Sequence, residues 1–224
     1  MDTLVRDGDD FQANCSFGDV RARTVLLATG VINNRPFMPD DLHDKAVARG
    51  LLRYCPICNG YEVTDQRVGV IGTGARGTHE ALFIRSYTTD VTLVAPDGGH
   101  KLSREEASAL TEAGVALGNG PARDFSIDGD RLRLKTEIGQ LDFATVYPAL
   151  GSAIRSELAI ALGAHASDDG CLVVDDHQRT SVTRLYAAGD VVKGLDQISH
   201  AMGEGGVAAT TTRNDMAEQA PLHR

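Results

Sequence analysis

Apolar and polar positions along this chain change period several times, and each change marks an element. Residues 3–29 alternate between turn signals: Thr3-Leu4-Val5-Arg6, the turn Asp7-Gly8-Asp9-Asp10, then Phe11-Gln12-Ala13, with a further turn at Phe17-Gly18-Asp19. That pattern predicts strands joined by tight turns. Thr24-Val25-Leu26-Leu27-Ala28 is a continuous apolar run that stops at Thr29-Gly30. It predicts a strand covered on both faces. Residues 33–50 hold Pro36, Pro39 and several charges, and read as a connection containing a domain boundary.

A different rhythm follows. Arg67-Val68-Gly69-Val70-Ile71 predicts a short buried strand, and the spacing of Ala81, Leu82 and Ile84 a helix from about Ala75 to Ser86. Val91-Thr92-Leu93-Val94-Ala95 is the next strand, completing a βαβ unit. Ser103-Arg104-Glu105-Glu106 is a capping box that starts a second helix, ended by Gly114. Residues 115–147 return to β-structure, with turns at Asp128-Gly129-Asp130 and Ile138-Gly139, and Tyr147-Pro148-Ala149-Leu150-Gly151 closes the unit. Residues 154–163 predict a short helix, Cys171-Leu172-Val173-Val174 a short strand, and Arg184 to Asp190 a strand ending in Gly-Asp. Ile198 to about Met216, rich in Ala, Gly and Thr, reads as a closely packed helix.

The turn between the first strand and helix of the βαβ unit is Gly72-Thr73-Gly74-Ala75-Arg76-Gly77. In this setting a GxGxxG turn suits a dinucleotide pyrophosphate. The first glycine allows the tight turn, the second lets backbone approach the phosphates, and the third lets the helix pack on the strand. A tight turn without a ligand is the alternative. Asp97 stands about 20 residues beyond the glycines, suitable for a ribose 2′-hydroxyl. Asp97-Gly98-Gly99 is equally a plain turn, and Pro96 bears on where the carboxylate lies. No arginine cluster follows this strand, so NADH is favoured over NADPH.

Cys55-Pro56-Ile57-Cys58 precedes the glycine turn. A CxxC dithiol carries two electrons as a thiol/disulfide couple, with the thiolate as attacking form. Half of a zinc site and two inert thiols are the alternatives. Cys15 and Cys171 stand alone in strand-like contexts, where buried packing is the commoner role. No metal-ligand spacing appears among the seven histidines. Gly189-Asp190 ends a buried strand before a small-residue helix, where a carboxylate can bind sugar or ribityl hydroxyls; any strand-to-helix turn can also carry Gly-Asp.

The 224 residues allow one large or two small domains, and a formal net charge of −9 argues against nucleic acid or an anionic membrane as partner. No apolar run reaches the ~20 residues of a membrane span and no signal-peptide core opens the chain, so a cytoplasmic location is expected.

In order and context, Ala28-Thr29-Gly30, Cys55-Pro56-Ile57-Cys58-Asn59-Gly60, Gly72 to Gly77, and Ala187-Ala188-Gly189-Asp190-Val191 with Gln197-Ile198 resemble the low-molecular-weight thioredoxin reductases and related pyridine nucleotide-disulfide oxidoreductases. The resemblance spans almost the whole chain. It implies an α/β architecture, a Rossmann-like NAD(P)-binding domain inserted into a partial, discontinuous FAD-binding domain. The expected boundaries are residues 1–50 and 149–224 for the flavin-type segments and 51–148 for the insertion.

The resemblance further implies electron flow from NAD(P)H through FAD to the CxxC pair and on to a protein or small-molecule disulfide, thioredoxin-like in the family. Cys58 would lie against the flavin and Cys55 would attack the partner. Asp190 would bind the ribityl and phosphate region, Gln197 and Ile198 would meet the isoalloxazine, and Thr29 and Gly30 would lie near the flavin nucleotide. Asn59 stands where the family carries an aspartate that exchanges protons with the dithiol; an amide cannot titrate. The chain opens in the β-rich segment that follows the family's first glycine turn, so weak or absent FAD binding is expected, as is association into a homodimer. The rival reading is a flavin-free relative that binds nucleotide or protein partners with little turnover.

Overall fold

The computed structural model describes residues 3–219. They form a mixed α/β protein of two compact units: Asn33–Ser152 make one, and the chain on either side of that stretch makes the other.

In the first unit four parallel strands lie in the order Thr145–Pro148, Val68–Ile71, Val91–Val94, Ala116–Gly118. Three of them are buried at every position, as strands covered on both faces must be. Gly69 is glycine because Phe143 lies on it: a Cβ there would sit 2.8 Å from the ring. The crossover helix Gly74–Ile84 buries Gly77, Thr78, Ala81 and Ile84 against the sheet. Helix Arg104–Glu112 starts at the expected capping box, with Ser103 Oγ accepting from the Glu106 N–H at 3.2 Å and the Glu106 carboxylate accepting from the Ser103 N–H at 2.8 Å. An antiparallel sheet of Arg123–Asp128, Arg131–Thr136 and Gly139–Phe143 follows. One core cluster centres on Val70, Ile84, Leu93, Leu110 and Tyr147, and another on Leu52, Ile71, Leu132, Leu134 and Phe143. Full burial of each such side chain is worth roughly 1.5–3 kcal/mol.

The second unit holds an antiparallel meander of Thr3–Asp7, Asp10–Cys15 and Gly18–Ala22, and a parallel pair of Val25–Leu27 with Leu185–Ala187. Leu4, Phe11, Leu27, Leu172, Leu185 and Val191 form its core. The long helix Ile198–Gln219 is tied in by Asp215, which accepts two hydrogen bonds from Arg179 at 2.7 Å each and one from the Tyr186 hydroxyl at 2.8 Å.

Three expectations need correction. Residues 33–50 are not a plain connection: they contain the helix Asp40–Ala48, and Ala46 packs with Leu51 and Leu52, so the compact unit begins at Asn33. Residues 171–174 form no strand; Leu172 alone makes bridges, to Ala166 and Val192. Cys15 and Cys171 are only half-buried, and both are free thiols. Among the described residues no helix is long and apolar enough to cross a membrane.

Candidate functional site

The glycine turn lies where strand Val68–Ile71 hands over to helix Gly74–Ile84. Gly77 presses on Gly72 so closely that a Cβ on Gly77 would sit 2.7 Å from the Gly72 carbonyl carbon. This is the helix-on-strand packing expected of the third glycine. The left-handed backbone falls on the second glycine, Gly74, at φ +61°, and not on the first; Gly72 is needed for its contact with Gly77 and Ala149. No described side chain caps this helix: the Thr73 hydroxyl instead accepts the Lys101 N–H at 2.7 Å. The first-turn N–H groups of Gly74, Ala75 and Arg76 have no cap, which is the condition for holding an anion.

Beside the ends of these strands is a cavity of about 470 Å³ lined by Arg35, Phe37, Pro96, Asp97, Arg123 and Leu150, among others. Asp97 is thus at a nucleotide-sized pocket despite Pro96. Phe37 is 93% exposed, an aromatic face open to a base. Arg35 and Arg123 arrive from other segments, so the lack of arginines after Val94 does not leave the pocket without cations.

Cys55 and Cys58 form a disulfide with Cα atoms 5.3 Å apart. Pro56–Asn59 is a single helical turn with Cys55 at its N-cap, and the Cys58 N–H donates to the Cys55 carbonyl at 3.1 Å. This turn packs on helix Gly74–Ile84 within the same unit. Gly60, next in line, lies against Tyr87, where a Cβ would come within 2.6 Å of the ring. Cys58 is exposed and Cys55 half-buried, with Ile57 and Tyr61 open to solvent beside them. Among the described residues no group of three or more His, Cys, Asp and Glu side chains could hold a metal ion.

Two part-buried polar networks include the residues on either side of the pair, Tyr54 and Asn59. On one side Tyr54 meets the His43 Nε2 at 2.8 Å, and the His43 Nδ1 meets Asp44 at 2.9 Å. Burial pushes the Tyr54 phenol up, opposed by Arg35. On the other side the Tyr147 hydroxyl donates to Asn59 Oδ1 at 2.9 Å. Burial pushes Tyr147 up to about 12 and Glu80 up to about 7, Arg76 opposing the latter.

The turn at Gly189-Asp190 differs. Gly189 has φ +77° and its N–H donates to Glu204 at 2.7 Å; Glu204 also meets His200 Nε2 at 3.0 Å. Burial, with Asp190 adding to it, pushes the Asp196 carboxyl up. Three carboxylates and an occupied backbone donor do not fit the pyrophosphate of FAD, although Asp190 remains suited to hydroxyls. Gln197 donates its N–H to the Leu195 carbonyl at 2.8 Å and Ile198 is 82% exposed. Thr29 donates its hydroxyl to the Arg155 carbonyl at 2.5 Å, and Gly30 takes φ +64°.

Sequence reasoning alone does not single out Arg35, Phe37, Arg123, Glu80 or Tyr147 as functional. Only Glu80 leaves a local trace: it lies three residues after Gly77 and four before Ile84, a carboxylate beside the buried stripe of its helix.

The model of the Pyridine nucleotide-disulphide oxidoreductase family matches residues 5–205. A thioredoxin reductase of Mycoplasma pneumoniae is 27% identical over 207 residues, 87% of this chain and 64% of that protein. A mercuric reductase of Bacillus cereus is 28% identical over 217 residues, 91% of this chain and 33% of that one. The chain therefore spans less than two thirds of either relative. The solved thioredoxin reductase of Streptococcus pyogenes MGAS5005 shares the fold, with a TM-score of 0.84 at 22% identity, over 96% of this chain and 72% of that one. With the glycine turn, the disulfide and a family match over most of its length, the chain belongs to the pyridine nucleotide-disulphide oxidoreductase family.

Proposed function

We propose that this chain is a thioredoxin-reductase-like disulfide oxidoreductase in which Asn33–Ser152 both binds NAD(P)H and carries the redox couple Cys55–Cys58. One observation supports this most directly: the disulfide turn packs on the helix whose uncapped N-terminus follows the glycine turn. The phosphates would take the N–H groups of Gly74, Ala75 and Arg76, Asp97 the ribose, and Phe37 the base. Bound there, NAD(P)H is a source of hydride. With two guanidinium groups against one carboxylate, the pocket's charge supports NADPH binding at least as tightly as NADH.

In the exchange step a Cys55 thiolate attacks the partner's disulfide. Its sulfur bonds to one partner sulfur, and the electron pair of the broken bond leaves on the other. Cys58 then attacks Cys55, closing the internal disulfide and releasing the second partner thiolate. The mixed disulfide should accumulate in a Cys58→Ser variant and be absent in Cys55→Ser. The exposed Ile57 and Tyr61 suit a protein partner with an apolar rim, such as a thioredoxin-like fold.

The carboxylates at 189–204 favour a second reading, in which flavin is held weakly or not at all and turnover is low. A visible spectrum, a calorimetric titration with NADH and NADPH, and thiol counting before and after mild reduction test both. A flavin band with steady turnover supports the reductase. Saturable nucleotide binding and a two-thiol change without flavin support the second reading, and no heat at millimolar nucleotide overturns both. A homodimer, also proposed, is read by light scattering.

A further inference from the structure

Strand Thr145–Pro148 holds the cysteine turn from both ends. Before the turn, the Val146 N–H donates to the Leu51 carbonyl at 2.9 Å, and the Val146 carbonyl accepts from the Arg53 N–H at 3.0 Å. After it, the hydroxyl of the fully buried Tyr147 donates to Asn59 Oδ1 at 2.9 Å. Adjacent residues of one strand thus anchor residues 51–53 and residue 59. A second side-chain bond secures the entry: the Tyr54 hydroxyl meets Nε2 of the buried His43 at 2.8 Å, and Tyr54 packs on the core cluster of Leu52 and Phe143. Just past the exit, Gly60 is pressed on Tyr87 too tightly for a Cβ. Between these anchors the turn itself is open, with Ile57 and Cys58 exposed and the Cys58 N–H nitrogen 3.2 Å from Cys55 Sγ.

We propose that Tyr54 and Tyr147 are positioning residues for the Cys55–Cys58 couple: their hydroxyl bonds clamp the two ends of the turn, keep the sulfurs within reach of each other after reduction, and so favour re-formation of the disulfide. The inference rests on the reading that this pair cycles between disulfide and dithiol. Reduction by an external dithiol adds two electrons. One reductant thiolate bonds to a sulfur of the pair, and the electron pair of the broken S–S bond leaves on the other sulfur. The second reductant thiolate then displaces the first cysteine as a thiolate and closes the reductant's own disulfide. How readily the freed pair closes again depends on the effective concentration of one sulfur at the other, which rises when the chain holding them is already in place. Residues 54 and 59 flank the turn, so fixing them fixes the span that the reduced turn must keep. By reciprocity the disulfide supports the two hydroxyl bonds as much as they support it. The clamp makes the dithiol the stronger reductant. It also shortens the life of a mixed disulfide on Cys55, because Cys58 stays close to it.

The test equilibrates the full chain in mixtures of reduced and oxidised dithiothreitol near neutral pH, with thiols trapped and counted by mass spectrometry. Tyr54→Phe and Tyr147→Phe keep the rings and remove only the hydroxyls. Each should raise the reduced-to-oxidised ratio about threefold, on the scale of part of one net hydrogen bond. Tyr186→Phe, which removes a hydroxyl bond to Asp215 in the other unit, should leave the ratio at the parent value. In an Asn59→Ala background Tyr147→Phe should add nothing, because the bond is already gone. Parent ratios in both clamp variants, with all chains cycling, overturn the inference and leave the redox reading standing. An equal rise in Tyr186→Phe, or an undiminished effect of Tyr147→Phe in the Asn59→Ala background, shows a general loss of stability in place of a clamp and overturns it as well. A parent disulfide that does not cycle overturns inference and reading together.

Discussion

Two strand-to-helix turns in this chain look alike in sequence and end in opposite states. Gly72-Thr73-Gly74 and Gly189-Asp190 both follow a buried strand, and both place a glycine in the left-handed region. At the first, no described side chain caps the helix that follows. At the second, Glu204 reaches back to the Gly189 N–H, and Asp190 and Asp196 add further negative charge. A strand, a glycine and a helix therefore do not by themselves make an anion site. What separates the two is whether the protein has already used the donors the anion would need.

The largest expected effect breaks the first turn. Gly77→Val forces a β-branched side chain into the Gly72 backbone, where even a Cβ would lie at 2.7 Å. The helix must lift off the strand, at a cost of about 1–3 kcal/mol or more, and nucleotide binding should be lost, roughly 100-fold or beyond on the scale of several missing hydrogen bonds. Calorimetric titration with NADH and urea unfolding measure both. Glu204→Ala is the counterpart. It removes the acceptor of the Gly189 N–H and should lower stability by about 1–3 kcal/mol, with nucleotide affinity at the first turn unchanged. A loss of NADH binding in Glu204→Ala would show that the two turns do not act independently.

The first unit is largely legible in the sequence because its strands are covered on both faces and so appear as unbroken apolar runs, and because its second helix announces itself through Ser103 and Glu106. Helix Asp40–Ala48 is not. It buries only His43 and Ala46, too narrow a stripe to stand out between prolines, although Asp40 and Asp41 in its first turn are a genuine start signal. The disulfide and the glycine turn are readable as motifs, since each is local. The pocket is not: Arg35, Asp97 and Arg123 are far apart in the chain and meet only in the folded unit. The same holds for Tyr147 and Asn59, 88 residues apart. Residues 171–174 mislead because an apolar run also serves as core filling, which Leu172 does without a strand.

A smaller effect separates the units by pH. Glu80 has its proton affinity raised from the ordinary 4.5 to about 7, so between those values the folded chain holds a proton that the unfolded chain has released. Stability from this group is therefore greatest below pH 4.5 and falls as pH rises towards 7. After discounting for its partial exposure, the loss is about 1–2 kcal/mol. Glu80→Gln should flatten this part of the profile and be the more stable protein at pH 8, with equal stability at pH 4, by urea unfolding. Asp215 works in the opposite sense: Arg179 and Tyr186 hold its carboxyl below the usual range, so its contribution is present at neutral pH and lost on acidification. Asp215→Asn should remove that acid sensitivity from the second unit.

The smallest effect contrasts two helix starts inside the first unit. Ser103 closes its helix with a reciprocal cap, whereas Thr73 gives its hydroxyl to the Lys101 N–H and leaves the next helix uncapped. Ser103→Ala should cost about 1 kcal/mol of stability and leave NADH affinity untouched, because the donors it satisfies are not those of the nucleotide turn. Thr73→Ala should do the reverse: little change in helix stability, since no cap is lost, but weaker nucleotide binding, since the Lys101 backbone would no longer hold the turn. Urea unfolding and NADH titration of both variants give four values. If Ser103→Ala weakens NADH as much as Thr73→Ala does, the uncapped helix start is not where the nucleotide binds, and the anion site must be sought elsewhere on the unit.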